Sequence, residues 1–401
     1  MLRQEQIATV IDFQQQDLDR KGNTFVRESL KEVPIFSSFA TIITGVRRCG
    51  KSTLLLQILK DKYKNALYLN FEDLRLTAFE TEDLVRLQQE IVKRNIKVLF
   101  FDEIQLINKW EIFVHQLLRE EYTIFVSGSN ASLLSTELGT HLTGRHVSME
   151  MFPFSFTEYI AFKNVKPSPD SVTAYLKTGG FPECIKNESE LILQNLMEDI
   201  LIRDIAVRHA IRDVNALKQL AVYLVSNVGT LVSANKLIDL FGIKSTATML
   251  EYFAWLKDAY LVEFLPLFSY SLKIQARNPK KVYAIDTGLI YAISTAFSEN
   301  AGHVFENLIY LHLRRKSTNL YYFKEKGECD FVSFSKGKAQ EAVQVCYQID
   351  DHNFKREYNG LLEAMRAFEL DQGTIVTLNQ KDHFEKDGYR VNLVPAHEYL
   401  I

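Results

Sequence analysis

The chain has 401 residues, 47% apolar and 24% charged, with a net charge of −3. That length exceeds one ordinary core and predicts roughly two to four domains. No apolar run is long enough to cross a bilayer, and the charge excludes a global pull toward nucleic acid or anionic lipid, leaving only local patches.

The N-terminal MLRQEQIATVIDFQQQD lacks the apolar core of a secretory signal. The four cysteines, Cys49, Cys184, Cys329 and Cys346, form no CxxC pair. This argues against structural zinc and a disulfide framework and predicts a cytoplasmic protein with no membrane partner.

Helical spacing of Ile7, Val10, Ile11 and Leu18 predicts a helical segment over residues 1–40. FATIITG (39–45) reads as a buried strand and KSTLLLQILKDKY as the helix after it. Three more strands are expected at NALYLNFED (65–73), KVLFFDEIQ (97–105) and YTIFVSGSN (122–130), with a fifth at RHVSMEM (145–151). TEDLVRLQQEIVKR reads as a helix between them. Alternating strands and helices indicate a parallel sheet covered on both faces.

The alternation ends near residue 152, where FPFSFTEYIAFKNVKPSPDS carries three prolines. Residues 172–230 read as mainly helical, interrupted by TGGFPE, a tight turn. Helix, turn, helix and a β-hairpin follow over 231–290. From 303 onward a helix, the strands NLYYFKE, ECDFVSFS and AQEAVQVCY, a further helix and the strands GTIVTLN and YRVNLVP make a second α/β unit.

GVRRCGKS fits G-x-x-x-x-G-K-[ST] between a strand and a helix, the context that motif requires. Its backbone N–H groups would cradle phosphates, involving Gly45, Val46, Arg47, Arg48, Cys49, Gly50, Lys51, Ser52 and Thr53. Lys51 would reach the β- and γ-phosphates and Ser52 would hold Mg²⁺. Arg47 and Arg48 either flank the phosphates or face solvent. VLFFDE places Asp102 and Glu103 at the sheet edge where ligands of open α/β sheets bind. Asp102 would hold Mg²⁺ through water, and Glu103 would activate the attacking water. In FVSGSN, Ser129 is the first candidate for the γ-phosphate or the water and Ser127 the second, with turn chemistry as the alternative. Arg145 is a candidate arginine finger, in cis or across a subunit boundary of a homo-oligomer, or else a solvated loop arginine.

ITGVRRCGKSTLL, FFDEIQ, FVSGSNASLL…LTGRHVSMEMFPFSFTEY and GGFPE together resemble a family of prokaryotic AAA+-type P-loop ATPases with a C-terminal domain of unknown function. The resemblance implies ATP binding and hydrolysis by an AAA+ core, a winged-helix module and a unit like the restriction-endonuclease fold.

LVSANKLIDLFGIKSTATMLEYFAWLKDAYLVEFL (231–265) looks like helix-turn-helix, with Ser233 capping its first helix. Lys244, Ser245, Thr246 and Thr248 would start the second, where base edges are met. Lys273, Arg277, Lys280 and Lys281 would form a basic wing able to touch DNA. A module used only for protein packing fits equally well. A nuclease of the implied fold needs an Asp on one strand and an acid-x-Lys on the next, so that carboxylates hold Mg²⁺. Glu306, Asp330 and Glu341 are the acids available, but Gln344 stands where lysine is needed and Glu341 has the wrong strand parity unless a bulge turns it back. Lys355, on the next helix, could in principle stand in for the missing lysine. Such a degenerate site points to binding more than to cleavage. LRRK (313–316), with His312, Lys324 and Lys326, adds a basic patch.

The fold expected is α/β: a P-loop NTPase parallel sheet with N-terminal helices (1–160), a helical connector (161–230), a winged-helix-like module (231–290) and a restriction-endonuclease-like α/β domain (291–401). The function expected is an ATPase with ATP/ADP and Mg²⁺ as ligands, coupled to C-terminal modules that contact DNA or a protein. The alternatives are a nucleotide-gated DNA-binding switch and a metal-dependent nuclease.

Overall fold

Five strands of the first 151 residues lie side by side in one sheet in the computed structural model, which describes residues 1–20, 22, 24–129, 144–294 and 301–401. They are β1 (Ala40–Gly45), β2 (Leu67–Asn70), β3 (Val98–Asp102), β4 (Thr123–Gly128) and β5 (His146–Met151). The order is β2-β3-β4-β1-β5 and every pairing is parallel. β1, β3 and β4 are buried along almost their whole length, which is why they read as unbroken apolar runs.

Helices α1 (Gln4–Arg20), α2 (Lys51–Lys62), α3 (Asp83–Lys93) and α4 (Trp110–Arg119) cover the sheet. Ile7 and Ile11 of α1, Leu87 and Ile91 of α3 and Trp110 and Leu117 of α4 pack with Ile42, Leu69, Phe101 and Val126. On the other face Phe100 and Phe125 stack at 4.6 Å, with Tyr63 against both. Because the strands are parallel, Gly45, Asn70, Asp102 and Gly128 all end at one edge.

The helical expectation for 1–40 holds only to Arg20. Beyond it, Gln57 of α2 captures the backbone of the next segment. Its side chain accepts from the Arg27 N–H at 3.2 Å and donates to the Phe25 carbonyl at 2.7 Å, so the chain stays irregular until a 3₁₀ turn at Glu28–Glu32. Residues 130–143, which include the end of the expected fourth strand and the middle of FVSGSNASLL…LTGRHV, lie outside the described residues.

Residues 152–401 form a second compact unit, so 152–160 fold with it and not with the sheet before them. Its first part is helical: α5 (Phe156–Lys163), α6 (Pro169–Thr178), α7 (Pro182–Asn187), α8 (Leu191–Asp199), a π-helical continuation (Ile200–Val207) and α9 (Val214–Ser226). TGGFPE joins α6 to α7, and its glycines have a specific neighbour. Gly179 has φ +73°, and a Cβ there would lie 2.1 Å from Asp286 Oδ1. The Asp286 carboxylate accepts from the Gly180 N–H at 2.6 Å. Burial pushes that carboxyl up to about 6, against the pull of the N–H groups that bond it.

Next come β6 (Leu231–Val232), α10 (Ala234–Leu237), α11 (Thr246–Asp258), β7 (Val262–Leu265), α12 (Leu272–Arg277) and β8 (Lys280–Ala284). The three strands form an antiparallel sheet in the order β6-β8-β7. Ser233 stands at the N-cap of α10, but its side chain makes no capping bond, contrary to expectation. Ser245 caps α11 instead, accepting from the Thr248 N–H at 3.1 Å. The β-hairpin expected over SYSLKIQARNPKKVYAI does not form: Leu272–Arg277 is the helix α12, so Lys273 and Arg277 sit on a helix, and β8 pairs with the earlier strand β7 instead.

After α13 (Thr287–Ile293) and α14 (Ala301–Lys316), six strands complete the unit: β9 (Leu320–Lys324), β10 (Glu328–Ser335), β11 (Lys338–Val345), β12 (Gln372–Thr377), β13 (Asp382–Lys386) and β14 (Tyr389–Pro395). Their order is β13-β14-β12-β11-β10-β9, with parallel pairing only around β12. Helix α15 (Phe354–Ala367) packs Leu361, Ala364 and Met365 into the core of this sheet. Among the described residues no helix is long and apolar enough to cross a membrane.

Candidate functional site

The loop between β1 and α2 is shaped by two glycines. Gly45 has φ +141°, and a Cβ there would lie 2.1 Å from the Met151 carbonyl oxygen at the end of β5. Gly50 is left-handed (φ 104°) and immediately precedes α2. Between them Arg48 also has positive φ, so the chain turns back tightly. Lys51 opens α2 and is buried, and its ammonium donates to the Gly45 and Val46 carbonyls at 3.0 and 3.1 Å. The loop's one lysine is thus folded across the cradle it would serve. Gly45→Ala should weaken ATP binding by at least about tenfold, ~1.4 kcal/mol. Isothermal calorimetry checks this, and unchanged affinity would show that the loop tolerates a side chain there.

Not every loop residue offers its side chain. The Cys49 thiol donates to the Met151 carbonyl at 3.4 Å, and burial holds its pKa up, so it stays protonated. Arg47 pairs with Glu72 at 3.5 Å. Arg27, absent from the sequence-based candidates, donates to the Cys49 carbonyl at 2.6 Å and braces the loop from outside.

The two acids sit at the same edge. Asp102 is fully buried. One of its oxygens accepts from the Ser127 hydroxyl and the other from Tyr68 at 2.6 Å. Glu103 adopts a left-handed conformation (φ 53°), which turns the chain out of β3. Its N–H donates to Ser127 Oγ at 3.0 Å and its carboxylate accepts from Gln105. Burial holds the Glu103 carboxyl above its usual range, reinforced by the Asp102 charge and opposed by Lys51. A desolvated carboxylate near an ammonium suits proton abstraction.

β4 lies between β1 and β3, so its Ser127 reaches both acids. The second choice among the two serines is therefore the one bonded to the acid pair, while Ser129 is buried just past the strand end. Ser52 and Thr53 follow Lys51 on the first turn of α2, both half-buried. Arg145 is exposed, and its carbonyl accepts from the Ala40 N–H at the start of β1. β1 runs from there to Gly45, a rise of roughly 17 Å. The Arg145 backbone thus lies near the end of β1 opposite its own loop.

A second constellation lies inside residues 152–401. Lys281 is 3% exposed, not on a wing surface. Its ammonium contacts Asp330 Oδ1 at 2.8 Å, Glu328 Oε1 at 2.9 Å and Glu306 Oε1 at 3.0 Å. Tyr283 donates to the same Glu306 oxygen at 2.6 Å. The Asp330 N–H donates to Gln344 Oε1 at 3.2 Å, and its carboxylate accepts from the Val345 N–H at 2.9 Å. A register shift in β10 between Cys329 and Val332 helps aim Asp330 inward.

Burial pushes Asp330 up to about 7, aided by the Glu306 charge and opposed by Lys281. Burial also acts to raise Glu306, but Lys281 and the bonds from His303 and Tyr283 outweigh it and bring it down to about 2. The carboxylates likewise hold Lys281 well above its usual value despite its burial.

Of the four residues expected at a degenerate nuclease site, Glu306, Asp330 and Gln344 come together and Glu341 does not. The bulge in the β10–β11 pair lies beyond it, between Ser333 and Phe334, and does not turn it back. Glu341 accepts from Ser333 and from Tyr399, each at 3.4 Å. Lys355 is exposed on α15. The cation held by the acids is the chain's own Lys281, and among the described residues no group of three or more His, Cys, Asp or Glu side chains is arranged to hold a metal.

Comparison with known proteins adds to this geometry. A family model described as an AAA domain matches residues 37–160, and one described as a domain of unknown function (DUF8612) matches 169–300. An uncharacterized protein of Methanocaldococcus jannaschii is 34% identical over 396 residues, covering 92% of this chain and 88% of its own. An uncharacterized protein of Haemophilus influenzae is 31% identical over 380 residues, covering 88% and 93%. The S. cerevisiae Hsp104–ADP complex matches at a TM-score of 0.34 and 13% identity, over 61% of this chain and 41% of that one.

Proposed function

Since the chain belongs to the AAA-domain protein family of these two relatives, we propose that it binds ATP with Mg²⁺ at the β1–α2 loop and hydrolyses it. Its first unit has a P-loop NTPase fold. The observation that carries the proposal is the convergence, at one sheet edge, of the 45–53 cradle, the buried Lys51 and the Asp102–Glu103 pair.

The cradle fits a polyphosphate: a side chain at Gly45 would strike a carbonyl, and Lys51 is already aimed across the loop. Ser52 would hold Mg²⁺ directly and Asp102 through water. When bound, the ion supplies charge neutralisation at the phosphates. Lys51 exchanges its loop carbonyls for the β- and γ-phosphates. Glu103 takes a proton from the attacking water at its carboxylate, and Ser127 fixes both acids. Ser129 remains a candidate contact for the γ-phosphate. Arg145, whose backbone lies at the start of β1 and away from the loop, would serve the nucleotide of a neighbouring copy.

The nucleotide state would bias the C-terminal modules. The order helix, strand, helix, helix, strand, helix, strand over residues 214–284, with sheet order β6-β8-β7, supports a winged-helix-like module whose last two strands are joined by the short helix α12. The Lys281-filled acid cluster in the last unit supports an eroded nuclease-like fold used for binding DNA or protein.

Phosphate release should be measured over a range of protein concentrations, with and without duplex and single-stranded DNA. Mg²⁺-dependent turnover that rises per subunit with concentration is expected. A concentration-independent rate would argue for a finger acting in cis or for none. Absent turnover in every condition, with DNA retention that differs between ADP and ATP, would instead establish a nucleotide-gated switch.

A further inference from the structure

The outward face of α11 is the one a DNA-reading helix would offer to bases, and it is largely apolar. Leu250, Phe253 and Ala254 follow Thr246 along one stripe, ending in Lys257. That stripe forms one wall of a cavity of about 410 Å³, with Phe264 of β7 behind it and Arg277 and Lys280 across it. Leu250 is 54% exposed, so apolar surface is left open to solvent within a concave site.

The charges of this cavity are not balanced. Lys257 pairs with Glu263 at 3.4 Å. Among the described residues no carboxylate pairs with Arg277 or Lys280. Lys280 is half-buried, and its ammonium is disfavoured first by burial and then by the charge of Lys257. Arg277 and Lys257 are exposed, so the cost falls on the half-buried Lys280, and an anion beside it relieves that cost. The volume lies in the range of small-molecule sites, which are mainly apolar with a few polar groups.

Adjacent residues of a strand point to opposite faces. Lys281 faces the buried carboxylates of the last unit, and Lys280, one residue earlier on β8, faces this cavity. The two lysines therefore serve different sites. A DNA phosphate would answer the charges but leave Leu250, Phe253 and Phe264 against water.

We propose that this cavity binds a small amphipathic anion, with Leu250, Phe253 and Phe264 against its apolar body and Lys257, Arg277 and Lys280 around its acidic head. The site is independent of the ATPase proposal, since it uses none of the residues of the first unit.

The test uses the full-length chain and anilinonaphthalene sulfonate, an apolar sulfonate whose fluorescence rises on binding, with decanoate as competitor. The variants are Leu250→Asp, the double variant Arg277→Gln/Lys280→Gln, and a remote control, Val92→Ser. Saturable binding displaced by decanoate, weakened at least about tenfold in both cavity variants and unchanged in the control, is expected. All variants should keep the wild-type thermal melt, because the altered side chains are exposed or half-buried. Equal affinity in both cavity variants would overturn the proposal. So would weakening by Leu250→Asp alone, which marks an apolar patch without anion selectivity, or displacement by duplex DNA where decanoate fails.

Discussion

Glu103→Gln should keep ATP binding and lose about 10²–10⁴-fold of phosphate release, the range contributed by a positioned general base. The amide has nearly the shape of the carboxylate, and the Glu103 backbone N–H still bonds Ser127. What disappears is proton acceptance from water at a site where burial and Asp102 raise the carboxyl. Single-turnover phosphate release with a parallel nucleotide-binding titration separates the two effects. A variant that turned over at the wild-type rate would show that Glu103 is only a strand-end acid. One that lost binding as well would show that its carboxylate shapes the cradle.

Lys281→Met should lower the unfolding free energy by about 3–5 kcal/mol, the usual cost of stripping one partner from a buried ionic cluster. Methionine nearly matches the aliphatic stem, so packing is conserved and the deficit is electrostatic. Without the ammonium, Glu306 and Asp330 face each other with folded pKa values raised above their unfolded ones. A group raised on folding contributes stability below its unfolded pKa and loses it as pH rises through the folded value. The deficit should therefore grow from acidic to neutral pH in urea titrations. Asp330→Asn added to Lys281→Met should recover part of the loss, since contacting residues are not additive. A loss under about 1 kcal/mol, flat with pH, would show that the acids do not depend on Lys281.

The turn between β1 and α2 was legible because its signal is local. A strand, two glycines, a lysine and a serine fall within a dozen residues, and VLFFDE supplies the acids on an apolar strand whose burial the composition dictates. What supports the site was not legible. Arg27 sits in a polar stretch without periodicity, and its role depends on meeting the Cys49 carbonyl. Tyr68 reads as one more apolar strand residue until β2 lies beside β3.

Lys281 looked like a wing cation because it adjoins Lys280. Its partners Glu306 and Asp330 lie 25 and 49 residues along the chain. β13 was missed because Asp382–Lys386 is a mostly exposed edge strand with no apolar alternation. Asp387-Gly388, both at positive φ between β13 and β14, is the two-residue hairpin signal that would have found it.

The most direct measurement is steady-state phosphate release from MgATP by the wild type and by Lys51→Ala. Among the described residues Lys51 donates to the loop carbonyls of Gly45 and Val46, and its ammonium is the charge proposed to meet the phosphates. Turnover by the wild type and background release by Lys51→Ala, with both proteins folded, is the expected result. Equal turnover by the two would contradict an ATPase centred on this loop.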